Sequence, residues 1–148
     1  MSTRDTLAMS LLSACMISPA TLAADAPRLG EPADPARIAA WSIDVSPDGA
    51  GLPPGRGSVQ EGANIFAVKC EGCHGTNGIG KPADRLTGGI GTLTSTHPIK
   101  TVASYWPYAT TLFAYIRGSM PITNPRSLSA DETYALCAYL LSIDGISG

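Results

Sequence analysis

The chain has 148 residues and a formal net charge of −2, from 10 basic and 12 acidic side chains. So even a balance, with no arginine cluster or basic stripe, argues against a nucleic-acid surface, and the length suits one domain behind a leader. Beyond the N-terminal segment no apolar run is long enough to span a membrane, so the mature chain is expected to be soluble or at most tethered.

Residues 1–23 read as an export signal. Leu7 to Leu22 is largely apolar, but it is short for a membrane span and is interrupted by Pro19. Thr21-Leu22-Ala23 puts small residues where a signal peptidase cuts, which places the mature start at Ala24 and the protein in the periplasm. The n-region is weakly charged, Arg4 being offset by Asp5. Leu12-Ser13-Ala14-Cys15 also fits a lipobox, which would put a lipid on Cys15. The residues after it, Met16, Ile17, Ala20 and Leu22, continue the apolar region where a lipoprotein would begin a polar tether.

Residues 24–57 change in texture, with prolines at 27, 32, 35, 47, 53 and 54 and several glycines, and predict an extended arm running over a surface. Within the arm, Asp34-Pro35 has the order of an N-cap followed by proline at the first helical position. The short helix this predicts puts Ile38 and Trp41 on one side, to pack onto the following domain or to meet a partner subunit.

The domain proper, residues 58–148, opens on a capping box, Ser58-Val59-Gln60-Glu61. Val59, Gly62, Ala63, Phe66, Ala67 and Cys70 follow at helical spacing as one apolar stripe. That helix runs into Cys70-Glu71-Gly72-Cys73-His74, a C-x-x-C-H run of the kind that attaches c-type haem. Two thiols at this spacing match two vinyl groups on one edge of a haem, and His74 comes up beneath the iron as an axial ligand. A thioredoxin-type dithiol would sit beside a βαβ pattern, which is not present. A zinc site would need two more ligands, and only His97 and Cys137 remain, not as a cluster. A plain disulfide leaves the adjacent histidine unexplained.

Gly75 to Trp106 is glycine-rich and shows no sustained period, which is unusual inside a compact domain unless the loop wraps a large apolar group. A third helix is predicted from Pro107 to about Arg117, with Gly118 as its stop and Leu112, Phe113 and Ile116 facing inward. It delivers Met120 in Gly118-Ser119-Met120-Pro121, where the proline holds the backbone extended. Of four methionines, Met1, Met9 and Met16 lie in the leader, so Met120 is the methionine left to complete the iron's coordination. The competing ligands are His97, before Pro98 in a polar loop, or a lysine; an open sixth site is the other alternative. Tyr105, Trp106 and Tyr108 are candidate donors to the haem propionates or, equally, rim and core aromatics.

A second capping box, Ser129-Ala130-Asp131-Glu132, opens a terminal helix to about Ile143 that is apolar nearly all round and therefore buried. Gly62 would let this helix approach the first closely, with Tyr139 across the gap. Cys137 is expected as a small core residue; pairing with another subunit is the alternative.

Over residues 58–148 this set of features resembles class I cytochrome c, in which a glycine and an aromatic on the first helix cross a tyrosine on the last, as Gly62, Phe66 and Tyr139 would here. The resemblance implies an all-α fold, a single haem-wrapping domain behind the N-terminal arm. One departure is that Asp84 stands where the family has a proline whose carbonyl accepts from the proximal histidine, which leaves the partner of the His74 ring nitrogen open. Segments 38–59, 100–121 and 127–145 further resemble the cytochrome subunit of Sox-type sulfite or sulfane dehydrogenases, most specifically at WPYATTLF (106–113). That likeness implies sulfur-compound oxidation, and with the haem motif the expectation is a periplasmic monohaem electron carrier with one covalently attached haem c. It would be bound through Cys70, Cys73, His74 and Met120, with iron held by His74 and Met120. Its implied donor is a molybdenum-containing dehydrogenase of sulfur-compound oxidation, and its acceptor a further cytochrome or an oxidase. A general carrier for another dehydrogenase, or a haem enzyme or sensor with an open sixth position, are the alternatives.

Overall fold

The computed structural model describes residues 29–42 and 44–146. The expected export signal, Cys15 and the three leader methionines lie outside the described residues. Every regular element among those described is helical: α1 (Pro35–Trp41), α2 (Val59–Lys69), α3 (Glu71–His74), α4 (Val102–Tyr105), α5 (Ala109–Ser119) and α6 (Ala130–Ile143), with a 3₁₀ turn at Thr76–Gly78. Among the described residues, those from Ala40 onward form one compact unit and residues 29–39 belong to a separate one.

Local chemistry sets the helix starts where the sequence indicates. Asp34 Oδ1 accepts from the Ala36 N–H at 2.9 Å and opens α1. Ser58 and Ser129 each accept from the N–H three residues on, and Glu61 and Glu132 reach back to the two serine N–H groups at 2.8 and 2.9 Å. Both boxes satisfy donors that a helix start otherwise leaves unpaired. They pull the Glu61 and Glu132 carboxyls below the ordinary glutamate range, Glu61 through its bond from Ser58 and Glu132 first through Lys69. Lys69 Nζ lies 2.6 Å from Glu132 Oε1, so the last turn of α2 is bridged to the first turn of α6.

The core forms where α2, α5 and α6 meet, around Phe66, Leu112, Phe113, Ile116, Leu136, Cys137 and Leu140. α2 contributes Gly62 and Phe66 as buried residues, whereas Val59 and Ala67, from the same predicted stripe, are exposed. At Gly62 the two long helices touch backbone to backbone: a Cβ there would collide with the carbonyl of Ala135 and stand 2.7 Å from the Cβ of Tyr139. Tyr139 lies across this gap with its ring 5.3 Å from that of Phe66. Cys137 is 8% exposed within the core, and burial pushes its thiol up to about 12.

Part of the arm packs on this unit. Val45 and Leu52 border the core, Pro53 O accepts from the Tyr134 hydroxyl at 2.8 Å, and the Arg56 N–H donates to Asp131 Oδ1 at 2.8 Å. Trp41 is 70% exposed, its ring face covered by the Arg126 guanidinium 4.9 Å from the centroid.

Two boundaries differ from the sequence reading. α5 starts at Ala109 and not Pro107, because Trp106 and Tyr108 are extended, and it continues through Gly118 to Ser119, where Met120, held extended before Pro121, ends it. α4 is an additional turn inside the predicted loop. At four residues it is too short to leave a period, and it is held by Ser104 Oγ, which accepts from the Thr101 N–H at 2.8 Å.

Gly62→Ala is expected to destabilise the protein by about 1–3 kcal/mol, the usual cost of forcing added volume into a packed contact. Denaturant unfolding of the haem-loaded protein measures it; an unchanged midpoint would mean that the helices separate without cost.

Candidate functional site

Cys70 is the hinge between α2 and α3. Its N–H still bonds Phe66 O at 2.9 Å, while its own carbonyl accepts from Cys73 N at 3.1 Å and His74 N at 3.0 Å. The three side chains of the motif therefore leave one tight turn. Cys70 is half-buried against the core and Cys73 is exposed, and neither is paired in a disulfide.

His74 is positioned by the loop that follows. Its Nδ1 lies 2.9 Å from the backbone carbonyl of Asp84. A carbonyl can only accept, so Nδ1 carries the hydrogen and Nε2 keeps a free lone pair for a metal. The open question left by the missing proline is answered here: Asp84 supplies the carbonyl although its side chain is different. The loop is drawn toward α3 by Gly80 N to His74 O at 2.7 Å and by Ala83 N to Cys73 O at 2.8 Å.

Met120 is the C-cap of α5, with its N–H on Ile116 O at 3.0 Å. Its side chain is partly buried against the same core cluster as Cys70, Leu86 and Trp106. His97 lies exposed in a turn, its Nδ1 3.0 Å from Thr96 Oγ1. Of the candidate aromatics, Trp106 packs edge-on against Tyr115 with centroids 5.5 Å apart, and Tyr105 lies under Lys100 Nζ at 4.8 Å. Tyr105 and Tyr108 are about half exposed.

These residues fit a covalently bound haem. The turn offers two cysteine sulfurs outside any disulfide beside an imidazole with an available Nε2, and a thioether borders the same core. Nitrogen and soft sulfur donors suit haem iron. Along the loop Ile79, Ile90 and Leu93 stay exposed, apolar surface that a flat macrocycle can cover, and the Thr110 hydroxyl is buried with no protein partner. Among the described residues no three His, Cys, Asp or Glu side chains gather as a metal cluster, and no βαβ unit accompanies the thiols.

A helical domain whose outer helices cross at a glycine, and whose first helix ends in a Cys-x-x-Cys-His turn, defines a c-type haem protein. The Cytochrome c family model matches residues 59–144, and the chain belongs to the cytochrome c family. It is accordingly an electron-transfer haemoprotein with covalently bound haem c, and its all-α fold is the class I cytochrome c fold that the sequence resemblance implied. Among solved structures it is similar to a chain in the crystal structure of the sulfane dehydrogenase SoxCD from Paracoccus pantotrophus. The two are 44% identical with a TM-score of 0.77, over 83% of this chain and 61% of that one. No curated protein matches it.

Asp84→Ala is expected to leave the visible spectrum and midpoint potential of the haem-loaded protein close to wild type, because Asp84 acts on His74 through its backbone carbonyl. A clear shift in either would show that the carboxylate takes part.

Proposed function

We propose that this protein is an exported monohaem electron carrier, the acceptor subunit of a molybdenum-dependent sulfite or sulfane dehydrogenase. Residues 1–23 act as the export signal, 24–57 as an arm and 58–148 as the cytochrome domain. Cys70 and Cys73 attach the haem, and His74 and Met120 bind its iron. The bound haem supplies one-electron chemistry. The chain's own groups do the rest: the imidazole, oriented by Asp84, and the Met120 thioether would hold the iron, and the haem would supply electron transfer without binding a substrate. Electron transfer is then outer-sphere, and methionine ligation raises the potential, which suits an acceptor. The single observation that carries the sulfur reading is the 44% identity to a chain of SoxCD across 83% of this protein. This chain spans 61% of that one.

Met120→Ala is expected to lower the midpoint potential and to let carbon monoxide or cyanide bind rapidly. An unchanged spectrum and slow ligand binding would remove Met120 as the sixth ligand and bring His97 forward.

The donor is tested by mixing the oxidised cytochrome with its molybdenum-containing partner and sulfite or a sulfane donor. Haem reduction that needs both the partner and the sulfur compound is the expected result. Reduction by an alcohol, a sugar or nitrite through the genuine partner would overturn the sulfur assignment and leave the carrier role intact. Mass measurement of the native protein checks how the leader is processed, with a start at Ala24 expected; a lipidated Cys15 would overturn that start and move the exported protein to a membrane surface.

A further inference from the structure

The loop that presents Asp84 to His74 is tied to α6 at both ends. At its start the Tyr139 hydroxyl donates to Asn77 Oδ1 at 3.1 Å, on a residue whose backbone is in the left-handed region (φ 55°). At its end the Gly88 N–H donates to both carboxylate oxygens of Asp144, at 2.7 and 2.9 Å. The two ends are also braced to each other: Thr87 Oγ1 donates to Asn77 O at 2.7 Å, and Leu86 N donates to Gly78 O at 2.7 Å. Asp84 lies inside this braced span. The bonds of Gly80 and Ala83 to α3 move with the histidine turn itself, whereas Tyr139 and Asp144 refer the loop to the helix that anchors the core.

We propose that Tyr139 and Asp144 are positioning residues for the proximal histidine: by clamping the loop to α6 they aim the Asp84 carbonyl at His74 Nδ1. The inference rests on His74 being the iron's ligand and deepens that reading. An imidazole that donates a well-aligned hydrogen bond is a more basic ligand, so the clamp adjusts the iron's potential from a distance. Tyr139 thus has two separable parts. Its ring packs on Phe66 and crosses Gly62, and its hydroxyl acts on the loop.

Tyr139→Phe in the haem-loaded protein removes the second part and keeps the first. The readout is the His74 Nδ1–H in the reduced protein, an exchangeable proton followed by NMR, together with the midpoint potential. Exchange is expected to become faster on the order of five-fold, as for loss of one ordinary hydrogen bond, and the potential to rise. Asp144→Ala is expected to shift both in the same direction. Tyr134→Phe is the matched control: it loses a hydroxyl on the same helix, one bonded to Pro53 O at 2.8 Å, and is expected to leave both readouts at wild-type values. The proposal is overturned if Tyr139→Phe changes neither readout, or if Tyr134→Phe moves them as far, which would mark a general loosening of α6. A wild-type spectrum without the Nδ1–H resonance overturns the assignment of His74 itself, and the proposal with it.

Discussion

Where α2 crosses α6, a glycine meets a backbone carbonyl, and the position of the haem-attachment motif follows from that contact. Gly62 is two turns before Cys70 on a continuous helix, so fixing Gly62 against Ala135 fixes the direction in which the chain delivers Cys70, Cys73 and His74. The Lys69–Glu132 bridge sits at the far end of the same pair, next to the first thiol. Exposed ion pairs contribute roughly 0.2–1 kcal/mol, so its main effect is on register and much less on stability. The backbone contact is the stronger constraint because no rotamer change can relieve it.

From that crossing the rest of the site is built by polar contacts more than by apolar burial. Between His74 and Val102 the rest of the protein covers Gly78, Thr87 and Thr101. The shape of this stretch is kept by hydrogen bonds, Thr101 Oγ1 to Gly88 O at 2.5 Å, Ser104 Oγ to Ile99 O at 2.8 Å and Ile99 N to Thr92 Oγ1 at 2.9 Å among them. Threonine and serine suit this work because a short hydroxyl side chain can substitute for a missing backbone partner. Such a loop can keep its apolar groups turned toward a cofactor without collapsing onto itself.

The sequence makes the helices and the haem motif legible for a physical reason: each is encoded by residues close together in the chain. Ser58 with Glu61, Ser129 with Glu132, and Asp34 with Pro35 are contacts over three residues or fewer. The C-x-x-C-H turn is five consecutive positions. Met120 stood out as a candidate because the other methionines fall in the expected leader. What could not be read were features that depend on partners far along the chain or on backbone atoms. The Asp84 carbonyl carries no side-chain signal, so comparison with a proline motif left His74 without a visible partner although one was there. The α4 turn owes its existence to Thr101 and Ser104 hydroxyls engaged with Gly88 and Ile99, and a four-residue turn has no period to detect. The tie between Tyr139 and Asn77 spans 62 positions, and a tyrosine on an apolar helix face reads equally well as core.

The turn that carries His74 and the loop that carries Met120 are therefore governed by different parts of the fold. His74 answers to the α2–α6 crossing and to the loop that α6 holds, whereas Met120 answers to α5, whose Ile116 carbonyl fixes its N–H and whose Leu112, Phe113 and Ile116 are seated in the core. The two arrangements share only the packed cluster between them. Perturbing α5 should then act on the Met120 thioether and leave the His74 Nδ1 bond in place, and perturbing the Tyr139–Asn77 tie should do the reverse. With His74 and Met120 as the proposed ligands, a carrier built this way would have its potential adjusted through one of them without disturbing the backbone that presents the other.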